Sequence, residues 1–354
     1  MDIVVRSPNW IGDCIMSLPA LRALKAGRPG DNIILITKTY LKEVYKNIDE
    51  INKILTIPDK SDLKSLFKAA GELKRYNFRQ GILFTNSFFS ALLFRLAGIK
   101  KLTGYNKDLR GFLLEKKIKF PGKENKKHHV FFYLDLIEVF TGKKIEKKYA
   151  DGLIIDAAEK SAVTRLLGSK FGIDFSKALI GISPSAAYGS AKQWLPGRFA
   201  RLIRRFAEEK RDFEILLFGS GREREKISGI TAEVGEENKD NIYNLSGQLT
   251  LREALTAISL CRVFISNDSG LMHVASSLKI PLVAIFGPTL PRQTAPLYTG
   301  AAVLHQPVDC SPCKHRDCPL DHRCMKAITV DEVYGTVNAA LQKKMNRAQA
   351  GQRF

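Results

Sequence analysis

The chain has 354 residues, 45% of them hydrophobic, and 56 Lys and Arg stand against 36 Asp and Glu for a formal net charge of +20. That length accommodates two α/β domains of ordinary size, and the apolar fraction excludes a disordered protein. The basic excess lies in front: residues 1–150 hold 29 Lys and Arg against 15 Asp and Glu, whereas the rest holds 27 against 21. Two readings fit this asymmetry, an anionic partner bound by the front half or a generally lysine-rich proteome. The amino terminus begins directly as a strand with no signal peptide, and no apolar run reaches the length of a membrane span. The nearest runs, Phe88–Phe94 and Val130–Phe140, are interrupted by Arg95, Asp135 and Glu138. A soluble cytoplasmic protein is expected, open to attraction by an anionic membrane surface. Nucleic acid is not an expected partner, because no recognised module is present and the charges lack interleaved aromatics.

In chain order, the opening DIVVRSPNWIGD reads as strand and glycine-containing loop, and CIMSLPALRALK as the helix that follows. Asn32–Thr37 is a continuous β-branched run suited to a buried parallel strand. Ile51–Ile57 and Gly81–Thr85 read as further strands, with a polar helix near Asp62–Lys74 between them. Ser87–Ala97 is an apolar helix closed by Gly98. Lys116–Lys127 reads as an exposed loop or edge strand, and Val130–Phe140 as a helix. After the basic stretch Lys143–Lys148 the pattern restarts: strand Ala178–Ser183, helix Gly197–Lys210, strand Phe213–Gly219, helix Leu251–Ser259, strand Val263–Ser266, helix Leu271–Leu278 and strand Leu282–Phe286. Val330–Met345 is a final helix. Such alternation predicts two Rossmann-like domains, expected to face each other across a cleft. The first is expected over 1–165 and the second over 166–330. A terminal helix at 331–346 should pack back on the first domain, and 347–354 should form a loose tail.

Four loops carry polar chemistry. Asn9-Trp10-Ile11-Gly12-Asp13 leaves the carboxyl end of the first strand, where open α/β sheets place ligands. Asp13 at the start of a helix is either a helix-stabilising carboxylate or a base poised to take a proton from a sugar hydroxyl. Ser183–Trp194 is a second strand-to-helix loop of small and hydroxyl residues. Its amides and Lys192 suit a diphosphate, although it lacks the Gly-Lys-Ser/Thr of a Walker A loop. Ser266-Asn267-Asp268-Ser269-Gly270-Leu271-Met272-His273 opens a helix with exposed amides at Ser269 and Gly270. Asp268 there either caps the helix or orients a ribose hydroxyl, a donor group or a metal ion; His273 is either structural or turned to the same crevice. The fourth loop holds Cys310, Cys313, Cys318 and Cys324, compatible with a structural metal, packed free thiols or disulfides, but lacking the paired knuckles of zinc ribbons.

Taken together, the segments RSPNWIGDCIMSLPALRALK, TNSFFSALLFRLAGIKKLTGY, SPSAAYGSAKQWLP, NLSGQLTLREALTAI, SNDSGLMHVASSLKIPLVAIFGPT and CSPCKHRDCPLDHRCM resemble the ADP-heptose:lipopolysaccharide heptosyltransferases of glycosyltransferase family 9, nearest to the heptosyltransferase II type. The resemblance spans nearly the whole chain. It implies a GT-B fold and inverting transfer of heptose from ADP-L-glycero-D-manno-heptose to the lipid A–inner core acceptor, at the cytoplasmic face of the inner membrane. It further implies Asp13 as general base, Lys192 as partner of the leaving phosphate, and no cofactor required for catalysis. On the donor side it points to Ser185, Lys192, Asp268, Ser269, Gly270 and His273, with Glu223 as a looser match for the ribose. On the acceptor side it points to Asn9, Trp10, Gly12 and Asn86. An acceptor bearing carboxylates and phosphates would account for the basic front half. The rival readings are a relative with another sugar or acceptor, such as a heptosyltransferase I type, and a noncatalytic nucleotide- or nucleic-acid-binding protein.

Overall fold

The computed structural model describes residues 1–59, 62–122, 126–146, 152–208, 213–235 and 239–351, with side chains as far as 342. The chain divides into two compact units, Met1–Ile154 and Ile155–Phe354. In the first, strands β1 (Asp2–Arg6), β2 (Asn32–Lys38), β3 (Lys53–Ile57), β4 (Gln80–Leu83), β5 (Lys101–Asn106) and β6 (Lys116–Lys119) form one parallel sheet in the order β3-β2-β1-β4-β5-β6. Helices α1 (Ile11–Gly27), α2 (Leu63–Lys74), α3 (Phe88–Leu96) and α4 (His129–Thr141) provide its connections. In the second, β7 (Ala178–Ser183), β8 (Phe213–Leu217), β9 (Ile242–Asn244), β10 (Val263–Asn267), β11 (Leu282–Phe286) and β12 (Ala301–His305) pair in parallel as β12-β11-β10-β7-β8-β9. Helices α5 (Ala157–Phe171), α6 (Pro196–Glu208), α7 (Arg224–Ala232), α8 (Leu251–Leu260), α9 (Gly270–Ser277), α10 (Pro291–Thr294), α11 (Arg323–Lys326) and α12 (Val330–Gly351) belong with it.

Both sheets have one topology, in which the chain starts mid-sheet, winds to one edge, then returns to build the other. The reversal lies between β1 and β4 in the first unit and between β7 and β10 in the second. Crevices outside the carboxyl ends of such strand pairs are where doubly wound sheets bind ligands.

Helices cover both faces of the second sheet, so β8, β10 and β11 are buried at every residue, including the polar Glu214 of β8 and Ser266 and Asn267 of β10. Helix α6 buries Phe199, Leu202, Ile203 and Phe206, a helical-period stripe, against Ile180, Ile182 and Ile215. The first core joins Val4, Ile34 and Ile36 of the sheet to Phe94, Leu93 and Ala69 of the helices.

Two expectations are revised, the unit boundary and the extent of the tail. The unit boundary precedes α5 instead of falling at 165. A capping box of Asp156 and Glu159 starts this helix, and Glu159 also holds Arg252 of α8 at 2.7 and 2.8 Å, binding α5 to the second unit. Helix α12 contributes Val333, Tyr334, Val337 and Leu341 to the second core, beside Phe206 and Ile285. Part of the expected tail is helical, since α12 runs to Gly351; 352–354 lie outside the described residues. The basic stretch Lys143–Lys148 is described only to residue 146, and Lys116–Lys127 lacks 123–125.

Candidate functional site

The Asn9–Asp13 loop and the Asn86 loop follow β1 and β4 at the reversal point of the first sheet. Arg6, only 3% exposed, organises the former: its guanidinium donates to the Ser7 carbonyl at 2.6 Å, the Ile36 carbonyl at 3.3 Å and Asn9 Oδ1 at 2.6 Å. The Asn9 carbonyl also accepts from the Tyr40 hydroxyl. Burial pushes the Arg6 pKa down to about 10, so the charge is held at a desolvation cost. Arg110, fully buried, does the same for the second loop, donating to the Thr85 carbonyl at 2.6 Å and to Asn86 Oδ1 at 3.3 Å. Arg6, Asn9, Lys38, Phe89 and Ser90 line a pocket on this edge of the sheet. The Lys38 pKa is lowered by burial and then by the neighbouring Arg6. Two cations brought together in this way suit an anionic ligand.

Asp13 lies in the first turn of α1, where the helix dipole favours a carboxylate. It does not occupy the cap position, which Trp10 fills without a side-chain hydrogen bond. Trp10 itself is 58% exposed, while Gly12 is buried. The Tyr133 hydroxyl of α4 donates to Asp13 Oδ1 at 3.1 Å. Burial, followed by the Asp13 charge, raises the Tyr133 pKa well above its ordinary value, so the phenol stays a donor. Tyr133 is 120 residues from Asp13 in sequence, and only the packing of α4 on α1 brings them together.

In the second unit the Ser183–Trp194 loop and the Ser266–His273 segment follow β7 and β10, flanking that sheet's reversal point. Asn267 ties them together: its side chain accepts from the Trp194 amide at 2.9 Å and donates to the Pro184 carbonyl at 2.8 Å. Lys192 Nζ meets Asp268 Oδ2 at 2.5 Å, and the Thr289 hydroxyl donates to the same oxygen at 2.7 Å. Asp268 therefore fixes the lysine and is not a helix cap. Ser269 occupies the cap position of α9, but its hydroxyl lies 3.0 Å from Ser266 Oγ and leaves the first-turn amides without a side-chain cap. Ser185 Oγ is buried with no hydrogen-bond partner among the described residues. His273 is buried within α9. The structure thus brings Lys192, Asp268 and Ser269 to one sheet edge beside an uncapped helix terminus, the arrangement that binds phosphate. Glu223 follows β8 instead, and its carboxylate is engaged by the amide and hydroxyl of Ser220 in a capping box.

The cysteine-bearing loop braces this edge. The Ala191 amide donates to the Arg316 carbonyl at 2.9 Å, Ser190 Oγ to Asp317 at 2.8 Å, and the Tyr188 hydroxyl to the Lys314 carbonyl at 2.8 Å. A Cβ at Gly189 would lie 2.1 Å from the Arg316 carbonyl oxygen, so only glycine fits. Cys14, Cys261 and Cys324 are buried and Cys310, Cys313 and Cys318 partly so, all as thiols with no disulfide bond in the structure. Cys310, Cys313 and Cys318 all lie close enough to the Cys324 thiol to raise its pKa, after the larger effect of burial, so the loop gathers its four sulfurs in one neighbourhood. Tyr133, Asn267 and Thr289 are site residues that sequence reasoning missed. Asn267 and Thr289 stand inside the quoted SNDSGLMH…GPT segment, while Tyr133 carries no local signal.

The model of glycosyltransferase family 9 (heptosyltransferase) matches residues 66–323. The chain belongs to glycosyltransferase family 9. It is 30% identical over 311 residues to lipopolysaccharide heptosyltransferase 2 of Salmonella typhimurium, covering 86% of this chain and 88% of that one. It is 29% identical over 353 residues to its counterpart from Escherichia coli, covering 96% and 99%. The solved structure of the E. coli ADP-heptose lipopolysaccharide heptosyltransferase II superposes with a TM-score of 0.84 at 28% identity, over 98% of this chain and 100% of that one. As a family 9 glycosyltransferase, the chain has the two parallel-sheet domains of the GT-B fold.

Proposed function

We propose that this glycosyltransferase moves heptose from ADP-heptose to the inner core of lipopolysaccharide with inversion at the anomeric carbon. The observation that carries this reading is the pairing of Lys192 with Asp268 beside the uncapped terminus of α9, together with Asp13 held by Tyr133. The acceptor hydroxyl attacks the anomeric carbon, and its proton passes to the Asp13 carboxylate. The bond from that carbon to the diphosphate oxygen breaks, and ADP departs. Lys192 and the α9 amides stabilise the charge that develops on the leaving diphosphate, with Ser185, Ser269 and Gly270 at the donor end. A catalytic metal is not needed in this scheme, because a lysine and helix amides perform the neutralisation. Asn9, Trp10, Gly12 and Asn86 shape the acceptor side, and the Arg6–Lys38 pocket receives an acidic group of the core.

No helix among the described residues is long and apolar enough to cross a membrane. The enzyme works at the cytoplasmic face of the inner membrane, drawn to it by the basic first domain. The reading is tested by incubating the protein with ADP-heptose and defined core acceptors, then determining the linkage and anomeric configuration of the product. Transfer of heptose with inversion, undiminished by EDTA, is expected. Retention of configuration, or loss of activity on chelation with rescue by Mg²⁺, contradicts the scheme. Elemental analysis of the purified protein separately decides whether the cysteine loop takes up zinc or iron.

A further inference from the structure

The loop from β5 to β6 has chemistry that the reaction does not use. Lys107–Arg110 is a tight turn, closed by the Arg110 amide on the Lys107 carbonyl at 3.2 Å. Both central residues have positive φ, 51° at Asp108 and 58° at Leu109. Turns of that kind favour Gly, Asn and Asp, and a branched apolar residue there costs free energy. Leu109 gains nothing within the fold in return, since it is 88% exposed. Phe112, in the following short turn, is 74% exposed, and its ring is tilted against that of Phe88 with centroids 6.2 Å apart. Arg110 is fully buried and donates to the Tyr105 and Thr85 carbonyls at 2.9 and 2.6 Å, which holds the projecting turn in place. Two large apolar side chains are therefore presented to solvent on a rigid base.

Their setting indicates the partner. The loop leaves the carboxyl end of β5, on the same sheet edge as the Asn9–Asp13 and Asn86 loops. Exposed Lys107 begins it, and exposed Lys119 ends β6 opposite Asn106, with exposed Lys126 beyond. The acidic residues between Lys107 and Lys126 are Asp108 and Glu115, also exposed, and Glu124, which lies outside the described residues. Apolar tips ringed by lysines, on a domain rich in positive charge, complement a bilayer surface of anionic headgroups better than a protein groove.

We propose that Leu109 and Phe112 insert into an anionic lipid surface while Lys107 and Lys119 engage its headgroups, so that the acceptor edge of the first sheet lies against the membrane. The proposal rests on the reading that the acceptor is lipid-anchored, and its test separates the two. Full-length protein is sedimented with phosphatidylglycerol–phosphatidylethanolamine vesicles and with pure phosphatidylcholine vesicles. Wild type should partition onto the anionic vesicles, less so as salt screens the lysines. The L109S/F112S variant should lose about tenfold or more of that partition, and K107Q/K119Q should lose the anionic preference. Both variants should melt as wild type does and transfer sugar to a delipidated, water-soluble acceptor at the wild-type rate. Equal partition of wild type and L109S/F112S overturns the proposal, as does a parallel fall in transfer to the soluble acceptor, which would place these residues in the acceptor site. A shift from dimer to monomer in L109S/F112S with vesicle binding intact would assign the patch to a second copy of the chain and equally overturn it. Vesicle binding without any heptose transfer would refute the functional reading and leave this one standing.

Discussion

Lys192 and Asp268 illustrate how the chemistry depends on a pair. A carboxylate beside an intended diphosphate site is repulsive by itself, yet Asp268 is only 4% exposed on its side chain and is satisfied by Lys192 and Thr289. A buried ion pair contributes little net stability, but removing one partner leaves the other charge stranded. Lys192→Ala should therefore weaken ADP binding and also destabilise the fold by roughly 3 kcal/mol. Adding Asp268→Asn should restore most of the lost melting temperature, because the stranded charge is gone, without restoring ADP affinity. Titration calorimetry beside thermal melting distinguishes the two effects; ADP affinity equal to wild type in K192A would remove the lysine from the donor site. Asp13, Lys192 and Asp268 stood out in the sequence as candidates because each lies in or beside a polar segment that follows an apolar strand. Tyr133 was not, since its role arises from the packing of two helices far apart in the chain.

At the scale of elements, the second site is braced by the loop that carries four of the six cysteines. Cys310–Cys324 attracts attention by its thiols, but the contacts that shape the donor loop come from Lys314, Arg316 and Asp317 between them. Gly189→Ala would force the Arg316 carbonyl and the Tyr188–Lys192 loop apart. The expected outcome is a loss of roughly 1–3 kcal/mol in stability with weakened ADP binding, measured by melting and calorimetry; a variant with both unchanged would mean that the brace is dispensable. Strands β2, β8, β10 and β11 were evident from runs made mostly of apolar residues. β5, β9 and β12 were not: Thr103 and Gly104 interrupt β5, β9 has three residues, β12 is only half-buried, and α5 was hidden by its polar surface.

For the whole molecule, two sheets of the same winding each set a polar loop pair at their reversal point, and the alternation of strands and helices was enough to read that repetition. The fate of α12 was not, because its apolar stripe of Val333, Val337 and Leu341 specifies that a core is covered without specifying which one. The central claim is a division of labour in which the first unit activates the acceptor and the second binds the donor. Asp13→Asn tests it most directly, since asparagine keeps the size of the side chain and a hydrogen-bond acceptor for Tyr133 while abolishing the base. Single-turnover heptose transfer should fall by about 10²–10⁴-fold, with melting temperature and ADP affinity close to wild type. A well-folded variant that binds ADP normally and transfers at nearly the wild-type rate would contradict the account.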